Sequence, residues 1–393
     1  MKIYEAKNIS RQADTSFLSA QNAEKVCAYH RSFPQYSPTP CAHLTDLAKR
    51  LGVKDIAVKD ESKRFGLNAF KVLGGSYAIG KILARRLDIP DDELTFERLR
   101  DPSVRAKTGG LTFVTATDGN HGRGVAWTAR TLGYDAVVYM PKGTKQERLD
   151  NINITGAKGY ITELNYDDAV RLAEKDAREN GRILVQDTSM DGYTEIPRYI
   201  IQGYATMAYE IVKADDFIPP THIFVQAGVG SMACAVVGFF AEYLKDKPPV
   251  FTVVEPDAAA CIFATASAED GRMHPVTGDM DTIQAGLACG EPCPIAWDIL
   301  KENVSFYLSI PDTAAAEGMR VLARPHGNDP AIVSGESGAS GFGAMYDILT
   351  RRPEIRKQLG IGSDSVILCI STEGDTCREN YIDIVENGKY PVE

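Results

Sequence analysis

Nothing in this sequence of 393 residues approaches the unbroken apolar stretch of about 20 residues that spanning a bilayer requires. A basic excess is also missing. The 43 lysines and arginines face 53 aspartates and glutamates, so the formal charge is −10 and the pI near 5.3. An acidic surface repels nucleic acid and anionic membranes, which excludes both as non-specific partners. The first residues, Met1-Lys2-Ile3-Tyr4-Glu5-Ala6, lack the charged-then-apolar plan of a signal peptide, and the expectation is a cytoplasmic protein. Paired cysteines are scarce too: of eight, only Cys289 and Cys293 lie close together, with no second pair at zinc-ribbon spacing. Idle thiols are expected, a redox or disulfide role for Cys261 and Cys289 being the alternative. There is no low-complexity segment and no fixed-period repeat.

What is present is an ordinary globular composition, 44% hydrophobic and 24% charged, on a chain too long for one comfortable core. Two closely associated α/β domains follow as the expectation. The first forty residues, broken by Pro34, Pro38 and Pro40, read as an extended arm lying on the body. Ile56-Ala57-Val58 reads as a short buried strand, and from Lys71 onward Leu73, Tyr77, Ala78, Ile82 and Leu83 fall at helical spacing. From about residue 111 strand and helix alternate, with strands at 111–114, 136–140, 159–162 and 183–186 and a strong helix at 166–179. Further strands are expected at 223–226, 251–254 and 366–370. Strands separated by helices of this length imply right-handed crossovers and parallel sheets.

Four segments place unusual groups at predicted strand ends, where open parallel sheets bind ligands. In Gly66-Leu67-Asn68-Ala69-Phe70-Lys71 a lysine follows an apolar stretch. A partly desolvated lysine has a lowered pKa and can form a Schiff base with an aldehyde, although a plain surface lysine is the alternative. In Thr117-Asp118-Gly119-Asn120-His121-Gly122 a glycine turn opens a helix and aims backbone N–H groups at one point, suiting a carboxylate or phosphate. Asn120 can bond a cofactor oxygen. Asp118 beside an anion site should be repelled, which favours cation recognition or proton transfer over the alternative of an N-cap.

In Gly228-Val229-Gly230-Ser231-Met232 the glycines and the helix N-terminus suit a phosphate, or form a plain tight turn; the segment fits neither common nucleotide fingerprint. The last segment, Ser371-Thr372-Glu373-Gly374-Asp375, puts two neutral hydroxyls at a strand end, where turn formers are also common. Asp187, ending another strand, has the same ambiguous status.

In this order the four segments resemble fold-type II pyridoxal 5′-phosphate (PLP) enzymes, the group of threonine deaminase and the tryptophan synthase β-subunit. More narrowly, residues 59–71, 117–127 and 370–376, with Gly286-Leu287-Ala288-Cys289-Gly290-Glu291-Pro292 and Gly327-Asn328-Asp329-Pro330, look like the diaminopropionate ammonia-lyase family. The resemblance implies two three-layer α/β domains with mostly parallel sheets and the active site between them. Residues 1–84 and 196–393 would form the large PLP-binding domain and 85–195 the small one. It implies a homodimer that holds PLP as a Schiff base on Lys71 and converts both isomers of 2,3-diaminopropionate to pyruvate and two ammonia molecules, without a metal. Lys71 would be the base for the L-isomer and Asp118 for the D-isomer, with Asp187 holding or moving protons at the β-ammonium. Asn120, Gly228, Val229, Gly230, Ser231, Met232 and Thr372 (or Ser371) would bind the cofactor; Thr117, Asp118, His121 and Asp187 the small amino-acid substrate. Relatives that dehydrate serine or threonine usually carry Ser where this chain has Asp118, so the hydroxy-amino-acid reading loses ground.

Overall fold

The computed structural model describes residues 1–117, 119–190 and 192–392. Among these, two sheets carry the architecture. The strands are β1 (Lys2–Glu5), β2 (Cys41–His43), β3 (Asp55–Asp60), β4 (Thr112–Ala116), β5 (Asp135–Met140), β6 (Lys158–Ile161), β7 (Ile183–Leu184), β8 (His222–Gln226), β9 (Val250–Pro256), β10 (Phe306–Ile310) and β11 (Val366–Ser371). The larger sheet runs β1-β10-β9-β8-β11-β3-β2 and the smaller β6-β5-β4-β7. Only the outermost strands β1 and β2 pair antiparallel; every other pair is parallel. The central strands β3, β8 and β11 are buried at every position, as strands covered by helices on both faces must be. The fold is that of α/β domains with mostly parallel sheets, as the alternation of strand and helix implied.

The helices obey local rules that can be named. The Tyr166–Asn180 helix starts where Asn165 accepts a bond from the Asp168 N–H, carries Asp167 and Asp168 in its first turn, and stops at left-handed Gly181. The Ser231–Tyr243 helix is apolar on nearly every side because it is enclosed. Across the two sheets, the Val72–Arg86 and Asn120–Thr131 helices touch almost backbone to backbone. A Cβ on Gly124 would lie 2.8 Å from the Val72 Cα, so only glycine permits this approach. Among the described residues no helix is long and apolar enough to cross a membrane.

The N-terminal forty residues correct the expectation of an extended arm. β1 completes the large sheet against β10, and the Ala20–Arg31 helix buries Ala23, Val26, Cys27, Tyr29 and His30. His30 reaches Thr206 at 2.8 Å on the Glu195–Lys213 helix. The prolines mark only the stretch after that helix. There Tyr36 and the Thr39 N–H donate to the buried Glu210 carboxylate at 2.8 and 3.2 Å.

Candidate active site

Strand order decides which loops meet. β8, β11 and β3 are adjacent and parallel, so the segments leaving their C-terminal ends, 227–231, 371–376 and 61–71, emerge side by side. Backbone bonds lock the last two together: the Phe70 N–H donates to Thr372 O and the Gly374 N–H to Asn68 O, both at 3.0 Å. In the small sheet β4 and β7 are neighbours, which brings the turn before Asn120 beside Asp187. The two loop sets face one another across a cavity walled by Lys71, Asn120, Asp187, the 228–232 loop, Thr372 and Glu373.

Lys71 projects into it from the start of the Val72–Arg86 helix, and its Nζ donates to Asp187 Oδ2 at 2.8 Å. Asp187 is enclosed. Burial works against its charge, yet the Lys71 ammonium, His121 at 4.0 Å and the Tyr166 hydroxyl at 3.2 Å outweigh it and hold the carboxyl well below its usual range. Gln186 fixes the strand end: its amide bonds the Ala116 N–H and carbonyl at 2.9 and 3.1 Å and the Tyr166 hydroxyl at 3.1 Å. The Ser231 hydroxyl, at the first residue of the Ser231–Tyr243 helix, donates to the Asp187 carbonyl at 2.5 Å and so ties the glycine loop to the small sheet.

Several expectations need adjusting. Thr117 and His121 do not line the cavity. Thr117 is buried with its hydroxyl accepting the Gly119 N–H at 2.9 Å, and His121 lies beneath Asp187 with Nε2 2.7 Å from Val185 O. They shape the turn and support Asp187. Of the hydroxyl pair, Thr372 faces the cavity and accepts from Gln226 Nε2 at 3.2 Å, whereas Ser371 donates to Ser334 at 2.8 Å on the other side. Gly230 has φ +99°, and its missing side chain points away from the loop's concave side: a Cβ would meet Ile262 Cδ1 at 2.8 Å. All eight cysteines are free thiols, Cys261 and Cys289 included. Asp118 lies outside the described residues.

Tyr166 and Glu373 were not singled out in the sequence. Tyr166 gave no signal beyond being the first residue of a capped helix. Glu373 did: it is a carboxylate set directly after the two hydroxyls of a glycine-containing strand end. A wider cleft of about 570 Å³ shares Tyr166 with the cavity, with Lys142, Lys145 and Arg148 on its small-sheet side and Asp279, Asp281 and Asp312 opposite.

A lysine in a partly dry cavity, a glycine loop opening a helix whose first N–H groups have no partner within it, and a neutral hydroxyl between them form a donor set suited to an aromatic aldehyde bearing a phosphate. PLP fits this set. The sequence profile of the pyridoxal-phosphate dependent enzymes matches residues 33–373. The chain is 48% identical over 389 residues to a diaminopropionate ammonia-lyase of Salmonella typhimurium, covering 98% of this chain and 96% of that one. Among solved structures, the holo diaminopropionate ammonia-lyase of Escherichia coli superposes with a TM-score of 0.94 at 44% identity, covering 100% of this chain and 98% of that one. The Escherichia coli enzyme in complex with D-serine superposes at 0.93, also at 44% identity, covering 99% and 97%. The chain therefore belongs to the diaminopropionate ammonia-lyase family of the fold-type II PLP-dependent enzymes.

Proposed function

We propose that this chain is a lyase that uses PLP to eliminate ammonia from 2,3-diaminopropionate, giving pyruvate and ammonia. The observation that carries the reading is the Lys71–Asp187 ion pair, set between the glycine loop and Thr372 in a chain of this family. Lys71 would hold the cofactor covalently, with the first-turn N–H groups at 228–232 on its phosphate, Asn120 on a ring oxygen and the Thr372 hydroxyl on the ring nitrogen. Bound PLP supplies an electron sink beside the substrate α-carbon.

The protein's part is to place charges and protons. When Lys71 is engaged by the cofactor, Asp187 loses its cation, and the substrate β-ammonium is the replacement that restores the pair. Lys71 would be the group that takes the α-proton of the L-isomer. The D-isomer turns that proton to the other face, where we assign Asp118 as base. The β-nitrogen, kept protonated by its pairing with the Asp187 carboxylate, leaves as neutral ammonia when the C–N bond breaks, and hydrolysis of the released enamine gives pyruvate and the second ammonia. We assign residues 1–84 with 196–393 to the cofactor-binding domain and 85–195 to the small one, and infer a homodimer.

The experiment is a pyruvate assay on D- and L-diaminopropionate and on serine, with the absorption spectrum of the purified protein. Turnover of serine at least equal to that of diaminopropionate would replace this reading with a dehydratase. A protein that binds PLP and turns over neither would be a sensor.

A further inference from the structure

Glu373 takes no part in the roles above, yet it is almost fully buried at the edge of the cavity. Its position is fixed by the bridge that pairs Ala69, two residues before Lys71, with Glu373. Three donors converge on it. The Ser337 N–H donates to Oε1 at 3.1 Å, the Thr376 hydroxyl to Oε2 at 3.2 Å, and the Asn120 side-chain nitrogen Nδ2 to the same Oε2. All three partners donate, so the Glu373 oxygens serve as acceptors at every one of these contacts. The neighbouring carboxyl, Glu336, is pushed up by burial and by the charge on Glu373, and Asn380 donates to it at 2.7 Å.

An amide has one end that donates and one that accepts, and the carboxylate can face only the nitrogen. We propose that Glu373 is a positioning residue of the cofactor site: it fixes the Asn120 amide so that the second N–H of Nδ2 is offered to the phenolic ring oxygen of the cofactor. This rests on the PLP reading above. Without Glu373 the amide is free to present its oxygen to an oxygen that bears negative charge. Nothing else among the described partners of Asn120 decides which way it turns.

Glu373→Gln is close in shape but has a single acceptor atom for the Ser337 and Asn120 donors, so one must face an NH2 group. The measurement is PLP affinity of the cofactor-free protein by absorbance titration, with the band position of the bound form, for wild type, Glu373→Gln, Asn120→Ala and the double variant. Glu373→Gln is expected to weaken PLP roughly ten-fold, the scale of one charge-assisted hydrogen bond, and to move the band. The double variant should be no worse than Asn120→Ala, because Glu373 acts through Asn120. Asn120→Asp, which replaces the donating nitrogen and leaves Glu373 in place, should reproduce the loss even if the Glu373 variants fail to fold. Losses that multiply in the double variant, or Glu373→Gln that melts lower while keeping wild-type affinity and band, would overturn the assignment. Failure of the PLP reading itself would look different: the wild type would show no cofactor band and no reducible label on Lys71.

Discussion

Lys71 Nζ and Asp187 Oδ2 stand 2.8 Å apart across the cavity although 116 residues separate them in the chain. Lys71 stands at the start of the helix that follows large-sheet strand β3 and Asp187 in the segment after small-sheet strand β7, so the pair is also a contact between the two halves of the molecule. Each side of it yields a prediction.

Lys71→Ala is expected to abolish covalent cofactor attachment and the elimination of both isomers. Borohydride reduction of the wild type followed by peptide mapping should place the pyridoxyl label on Lys71. The nearby alternatives are poor: Lys59 is buried with its ammonium on Glu210 and Thr39 O, both at 2.6 Å, and Lys63 is exposed. A label on either would remove Lys71 from the mechanism.

Asp187→Asn removes the partner of a β-ammonium that both isomers share. It should lower kcat/KM for the D- and L-substrates by similar factors, on the order of 10². A loss confined to one isomer would mean that Asp187 handles the α-proton instead.

The strands that carry this pair were legible as apolar runs bounded by glycines and polar turns, and most were placed within two residues of where they lie. Their neighbours were not legible. That β4 pairs with β7, and β11 with both β3 and β8, is set by packing between residues more than a hundred positions apart in some cases. β1 was missed because four residues whose only partner is β10 leave no periodic trace. Lys71, Asp187 and Thr372 could be picked as strand-end residues of the right chemistry. That His121 sits beneath Asp187 and not in the cavity could not be read, since a histidine beside a glycine turn has the same sequence whichever way its ring points.

Gly230 shows the same limit. In the sequence its loop reads as a phosphate site or a plain tight turn, and the structure aims the missing Cβ at Ile262, Leu300 and Ala296. Gly230→Ala should therefore damage the fold first, by about 2–3 kcal/mol from the left-handed backbone and the crowding together. Thermal unfolding at saturating PLP should show a clearly lower Tm. An unchanged Tm with weakened PLP binding would mean that the added methyl meets the cofactor and not Ile262.

Asp167, in the first turn of the Tyr166–Asn180 helix, is half-buried, and burial and the charge of Glu291 push its carboxyl up to about 6. A raised acid favours the folded state below its unfolded pKa, and that contribution is lost as pH rises through the folded value. Between about pH 4 and 7 the wild type should lose stability relative to Asp167→Asn. The size is about 1 kcal/mol once solvent screening is allowed for. Denaturant unfolding of both proteins across this range gives the difference directly. A constant difference would show that Asp167 titrates normally.

Asp118→Asn tests the second base. The prediction rests on sequence chemistry, because a carboxylate placed in an anion-binding turn needs a cationic partner or a proton to move. Lys71 serves one face of the cofactor plane, and the D-substrate turns its α-hydrogen to the other. Asparagine keeps the size of the side chain and removes its basicity. A general base contributes a factor of about 10² to 10⁴, so kcat/KM for the D-isomer should fall by that order. The L-isomer should lose much less, reflecting only a weaker hold on the β-ammonium. If both isomers lose equally, Asp118 recognises the ammonium they share and the proton of the D-isomer leaves by another group. If neither changes, Asp118 is a helix cap, and the resemblance that gave it a catalytic role does not extend to this position.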